Sequence, residues 1–183
     1  MPTREDYLRQ PVERRLTRLA GTADELTEAI RNRSAAQLAR RPDAANWSAT
    51  EIICHLRDVE ELFRIRFHTI LALDDPTILT YGAEPAALAA WGIGGPVGHP
   101  LDPDRWAEER QYARNDPSHA LAAFRRHRAE TVALLESLTE AQWQRGGIHL
   151  RLGRLALGDW VASLAAHDDN HLEQLARAIE GQG

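Results

Sequence analysis

The sequence predicts an all-α protein, a four-helix bundle with a long crossover between its second and third helices. Three observations predict it. Four segments of about twenty residues, each ~30 Å long as a helix, carry apolar residues at spacings of three and four. Helix-start signals precede them, and no segment alternates strictly enough to make a convincing strand. Matched amphipathic helices of this length bury their stripes best against one another.

The first helix is expected over residues 12–33, where Leu16, Leu19, Ala23, Leu26 and Ile30 draw one stripe and Pro11 suits the first turn. The second is expected over 48–73. Ser48-Ala-Thr-Glu51 reads as a capping box, and Ile52, Leu56, Val59, Leu62, Phe63, Phe67 and Ile70 continue the apolar face. The third opens at Asp116-Pro117, an N-cap followed by a first-turn proline, and follows Leu121, Phe124, Arg128, Thr131, Leu135 and Leu138. The fourth starts near Gly158-Asp159 and carries Val161, Leu164, Leu172, Leu175 and Ile179. Residues 34–39 and 139–143 read as short helical turns, and 146–157 as a hairpin or an extended connection. The crossover, 74–115, is rich in Pro and Gly. Short helices are expected in it at 85–91 and 103–112, with Trp91, Trp106 and Tyr112 pinning it to the bundle. It either spans the surface or covers a pocket mouth.

Composition narrows the chemistry. The chain has 183 residues, a net charge of -5, eight His and one Cys, and all 22 basic residues are Arg. Without Lys there is no Schiff-base lysine and no phosphate-loop lysine. One Cys excludes an internal disulfide framework and a cysteine-built zinc cluster. The acidic balance argues against nucleic acid as a partner, and no apolar run is long enough for a membrane span. One domain over 1–183 is expected, without a secretory leader and with a cytoplasmic location as the default.

The histidines carry the functional signal. His167 and His171 are four residues apart on the stripe Leu164, His167, His171, Leu175, so both rings face the bundle interior one turn apart. His55 lies on the stripe Ile52, His55, Val59, Leu62 of the second helix. Buried imidazoles need partners, and a shared metal ion satisfies several at once. If the two stripes meet, they form a three-His site with open coordination positions. His68, His99, His119, His127 and His149 read as incidental, and Cys54 as a packing residue. Glu51 is explained by its cap, and Asp168 points one step away from the pair. Asp58, three residues after His55, could accept a ring N–H and fix the tautomer. Arg66 is nearly on the His55 face. It could anchor an anionic substrate or form an interhelical ion pair.

The stretch Asn46-Trp-Ser-Ala-Thr-Glu-Ile-Ile-Cys-His55-Leu-Arg-Asp58 resembles the W-S-x-x-E-I-x-x-H-L-x-D motif of the DinB-like (YfiT-like) metalloenzyme superfamily. Residues 157–175, with His167 and His171, look like its C-terminal H-x-x-x-H helix. Residues 102–112 and 120–125 resemble one branch of the family. The likeness runs from about Arg14 to Arg177. It implies an up-down-down-up bundle, a divalent metal (zinc or nickel) held by His55, His167 and His171, and a homodimer in many relatives. It implies as activity the transfer of a low-molecular-weight thiol to an electrophilic small molecule, with a metal-dependent hydrolase using bound water, or a non-catalytic stress-response protein, as the alternatives. A metal in such a site stabilises a thiolate or acidifies water.

Overall fold

The structure is a computed structural model that describes residues 1–81, 85–90 and 99–183. In chain order it comprises α1 (Arg4–Leu8), α2 (Val12–Ile30), α3 (Ala35–Ala39), α4 (Ala49–Ala72), β1 (Thr77–Ile78), α5 (Pro85–Ala89), α6 (Pro103–Glu109), a 3-10 turn (Tyr112–Arg114), α7 (Pro117–Glu136), α8 (Glu140–Trp143), β2 (Gly146–His149), β3 (Gly153–Ala156) and α9 (Leu157–Glu180). The four long helices, α2, α4, α7 and α9, are the four predicted. Each packs on two others: α2 and α4 both lie against α7 and α9.

The helix starts follow the local chemistry. The Ser48 hydroxyl accepts from the Glu51 backbone N–H, and the Glu51 carboxylate accepts from the Ser48 N–H, so α4 begins where the capping box sets it. Asp116 caps α7, with Pro117 in its first turn. Gly181, at φ 75°, closes α9 in the left-handed conformation that suits glycine. α1 was not expected. A Thr3–Asp6 capping box starts it, and buried Tyr7 docks it by donating from its hydroxyl to Asp169.

Of the two readings of residues 146–157, the hairpin is the one formed, so short strands occur where none was convincing from alternation alone. Residues 146–156 form an antiparallel hairpin, with Gly146 opposite Ala156, and Thr77–Ile78 adds a third strand parallel to β2. Gly147 permits this, because a Cβ there would stand 2.8 Å from the Ile78 side chain. Of the helices expected in the crossover, 103–112 resolves into α6 and the 3-10 turn, and α5 falls within 85–91. Trp91 lies outside the described residues.

Two apolar clusters fill the bundle. One, around Leu19, Phe67, Leu135, Trp160 and Val161, occupies the end near the hairpin. The other, around Leu26, Ile52, Phe124, Tyr112 and Leu175, occupies the opposite end. Between them lies a charged layer. Arg128 of α7, 2% exposed, donates through Nε to Glu60 of α4 at 2.8 Å and through Nη1 and Nη2 to Asp168 of α9. Thr22 of α2 donates to Asp168 at 2.6 Å, and Thr131 donates to Glu60. All four long helices thus share one buried network. Asp168, read from the sequence as pointing away from the histidine pair, is fully buried here and committed to Arg128. Among the described residues, no helix is long and apolar enough to cross a membrane.

Candidate metal centre

The two histidine stripes meet. His55 sits in the second turn of α4, His167 and His171 sit one turn apart on α9, and one ring nitrogen from each lies within 4.8 Å of the others. The Nε2 atoms of His55 and His167 are 3.2 Å apart. The ring centroids are 4.3 Å apart for His167 and His171, and 4.6 Å for His55 and His171.

This arrangement fits an ion. Two nitrogens bound at ~2.0–2.1 Å to one tetrahedral zinc-like centre stand roughly 3.3 Å apart, and the observed pair is at 3.2 Å. The protonation state fits as well, since only neutral imidazole offers a lone pair. Burial, helped by the His171 charge and opposed by Asp58, pushes the His55 pKa down to about 3. Burial and the other two histidines hold His167 well below its ordinary value. His171 is lowered by burial too, against the opposing effect of the hydrogen bond that its ring donates to Gln174. His171 Nδ1 stands 2.7 Å from Gln174 Oε1, which places the ring proton on Nδ1 and leaves Nε2 bare.

Gln174 was not foreseen, although its i,i+3 spacing from His171 is readable in the sequence. Asp58 was foreseen in the wrong role. It makes no bond to His55, whose Nδ1 has no partner among the described residues. Its carboxylate accepts instead from Arg57 at 2.7 Å, Arg110 at 2.8 Å and the Tyr112 hydroxyl at 2.7 Å. Burial would raise its pKa, but these donors hold it below the usual carboxylate range. Asp58 therefore ties the crossover to α4 and does not orient a ring. Cys54 is buried as packing, with its thiol pushed up to about 11 by burial.

The histidines open onto a cavity of about 350 Å3. Its walls include Val59, Leu62 and Phe63 of α4, Trp160 of α9, His149 of β2, and Thr80, Tyr81, Leu101, Pro103 and Trp106 of the crossover. The crossover is thus a wall of the pocket, not a surface strap. Trp47 packs on the His55 ring at 5.0 Å and shields it from water. His149, read as incidental, belongs to this wall. Its Nδ1 accepts from the backbone N–H groups of Arg151 and Leu152, so its remaining proton sits on Nε2. No carboxylate lines the cavity among the described residues.

Arg66 enters the same cavity. The interhelical ion pair expected as one alternative is not formed: no carboxylate pairs with Arg66 among the described residues. Its Nη2 donates to the Leu79 carbonyl at 2.9 Å, and its guanidinium lies 4.8 Å from the Phe63 ring centre. A larger, shallower depression of about 700 Å3 lies around Arg41, Glu51 and Glu108, where Arg41 is already bound to Glu51.

Comparison with known proteins places this geometry in context. Residues 18–175 match the sequence profile of the DinB superfamily. Over 138 residues the chain is 26% identical to YfiT of Bacillus subtilis strain 168, described as a candidate metal-dependent hydrolase. That match covers 73% of this chain and 66% of the relative, just under two thirds of its length. The fold superposes on the solved structure of Bacillus subtilis YfiT with a TM-score of 0.73 at 21% identity, covering 94% of this chain and 89% of the other. That structure is described as having an unusual four-helix bundle topology.

Proposed function

The chain belongs to the DinB superfamily, and from that premise we propose that it is a hydrolase of a small molecule, dependent on a divalent metal held by His55, His167 and His171. The observation that carries this reading is the convergence of three neutral imidazoles, from two helices, on the floor of a mostly apolar cavity. Three protein ligands leave positions open, as a catalytic centre requires. When present, such an ion acidifies water and polarises a carbonyl oxygen. The protein's own groups do the rest. Gln174 fixes the tautomer of His171. Trp47, Phe63 and Trp160 exclude bulk water, which strengthens every electrostatic interaction inside. His149 offers an N–H from Nε2 into the same space, as a hydrogen-bond donor.

Thiol-dependent transfer is the competing reading, since the same ligands would equally stabilise a thiolate. Cavity size favours hydrolysis: about 350 Å3 lies at the low end of ligand pockets, and suits one small substrate better than a substrate plus a sugar- or peptide-sized thiol. The test is turnover of a panel of activated esters, amides and lactones by metal-replete protein, with and without added thiol. Hydrolysis without thiol, abolished by chelation and in His55→Ala, supports the proposal. Turnover only with thiol, or none at full metal occupancy, rejects it.

A further inference from the structure

Among the described residues, Arg66 is a buried cation with no carboxylate partner. The interior treats its other arginines differently. Arg128 has two carboxylates, and Arg15 donates to the carbonyls of Leu8, Gln10 and Gly158. Among the described residues, Arg66 is 8% exposed, donates only to the Leu79 carbonyl, lies over the rings of Phe63 and Trp160, and has no acceptor for its Nε–H. Thr80, 4% exposed and in the same cavity wall, has a hydroxyl without a partner among the described residues. An unpaired buried charge and an unpaired buried hydroxyl are both costly, so two costs converge on one wall of the cavity that holds the histidines.

We infer that Arg66 anchors the substrate of this cavity, and that the substrate is a singly charged carboxylate with an apolar body. This deepens the proposed function and rests on its reading of the cavity as the active site. A guanidinium presents parallel N–H donors that match a carboxylate. Burial lowers the Arg66 pKa only to about 10, so the group stays cationic at neutral pH. One planar guanidinium in a mostly apolar wall matches one carboxylate head group. The body of the substrate is set by spacing. Arg66 lies three turns after His55 on the same face of α4, and its guanidinium turns back over Phe63 at 4.8 Å and Trp160 at 5.6 Å, so the gap to the histidines is shorter than the helix between the two residues. Val59, Leu62 and Phe63 fill that interval in the cavity wall. A ligand held by its carboxylate at Arg66 therefore sets a short apolar body against these side chains, beside the histidines.

The test uses chelator-treated protein and two probes of equal shape, 4-phenylbutyrate and 4-phenylbutyramide, with binding read by calorimetry and by the fluorescence of the wall tryptophans. The acid is expected to bind wild type at least about tenfold more tightly than the amide. Arg66→Gln is expected to bring the two within about twofold while keeping its unfolding midpoint. Equal affinity of the two probes for wild type, no binding of either, or a preference that survives Arg66→Gln would overturn the inference. If the variant does not fold, the wild-type comparison decides alone. Because the metal is absent throughout, failure of metal-dependent hydrolysis and failure of this anchor are read separately.

Discussion

His55 and His167 are 112 residues apart in the chain, yet their Nε2 atoms stand 3.2 Å from each other at the junction of α4 and α9. Two neutral rings so close, with His171 beside them, form the donor set of the proposed metal centre. The geometry has consequences for affinity, stability and pH response.

Gln174 orients His171, so removing its carbonyl should weaken metal binding without touching a ligand. Gln174→Leu is expected to lose ~10–100-fold in affinity in a competitive chelator titration. An unchanged affinity would mean that His171 needs no orienting partner.

Arg128 joins Glu60 and Asp168 in the centre of the bundle. Arg128→Met should destabilise the protein by about 3–5 kcal/mol in urea unfolding, because two carboxylates remain buried without their cation. A loss below about 1 kcal/mol would show that the carboxylates find other partners.

Asp58 holds Arg110 and Tyr112, and through them the crossover wall. Asp58→Ala should cost about 2–3 kcal/mol and raise proteolytic cleavage in the crossover before global unfolding. Cleavage at wild-type rate would separate the wall from Asp58.

The metal-free protein should lose stability in acid, and the sign follows from the histidines. His55 is lowered from 6.5 to about 3 in the fold, so between those values the unfolded chain binds the extra proton. Stability is full above pH 6.5 and falls by roughly 1 kcal/mol per pH unit below it from this group alone. Asp58, also lowered in the fold, adds a further loss below its ordinary 3.8. Unfolding midpoints measured at pH 7.5, 5.5 and 4.5 should decline in that order; a flat profile would contradict the buried neutral state of His55.

Much of this was legible in the sequence because local chemistry decided it. The four stripes and the Ser48 and Asp116 caps mark helices whose ends fall within three residues of their expected places. The three histidines stood out because they occupy apolar faces. Their meeting was not legible, since it depends on how α4 packs on α9. The Asp58 role was misread for the same reason: spacing alone puts it beside His55, but its true partners, Arg110 and Tyr112, arrive from 52 and 54 residues away. β1 is two residues long and exists only because β2 lies beside it. α1 did carry a signal in Thr3 and Asp6, on a helix too short for periodicity to reveal.

The proposed metal centre requires His55, His167 and His171 to hold one divalent ion together. The direct measurement is metal stoichiometry and affinity of purified wild type against His55→Ala, His167→Ala and His171→Ala, each checked for helical content. One ion per chain is expected in wild type, with a loss of at least about a hundredfold in affinity in every folded variant, since one of three protein ligands is removed. Full occupancy with undiminished affinity in any one of them, or a wild type that binds no divalent ion, would contradict it.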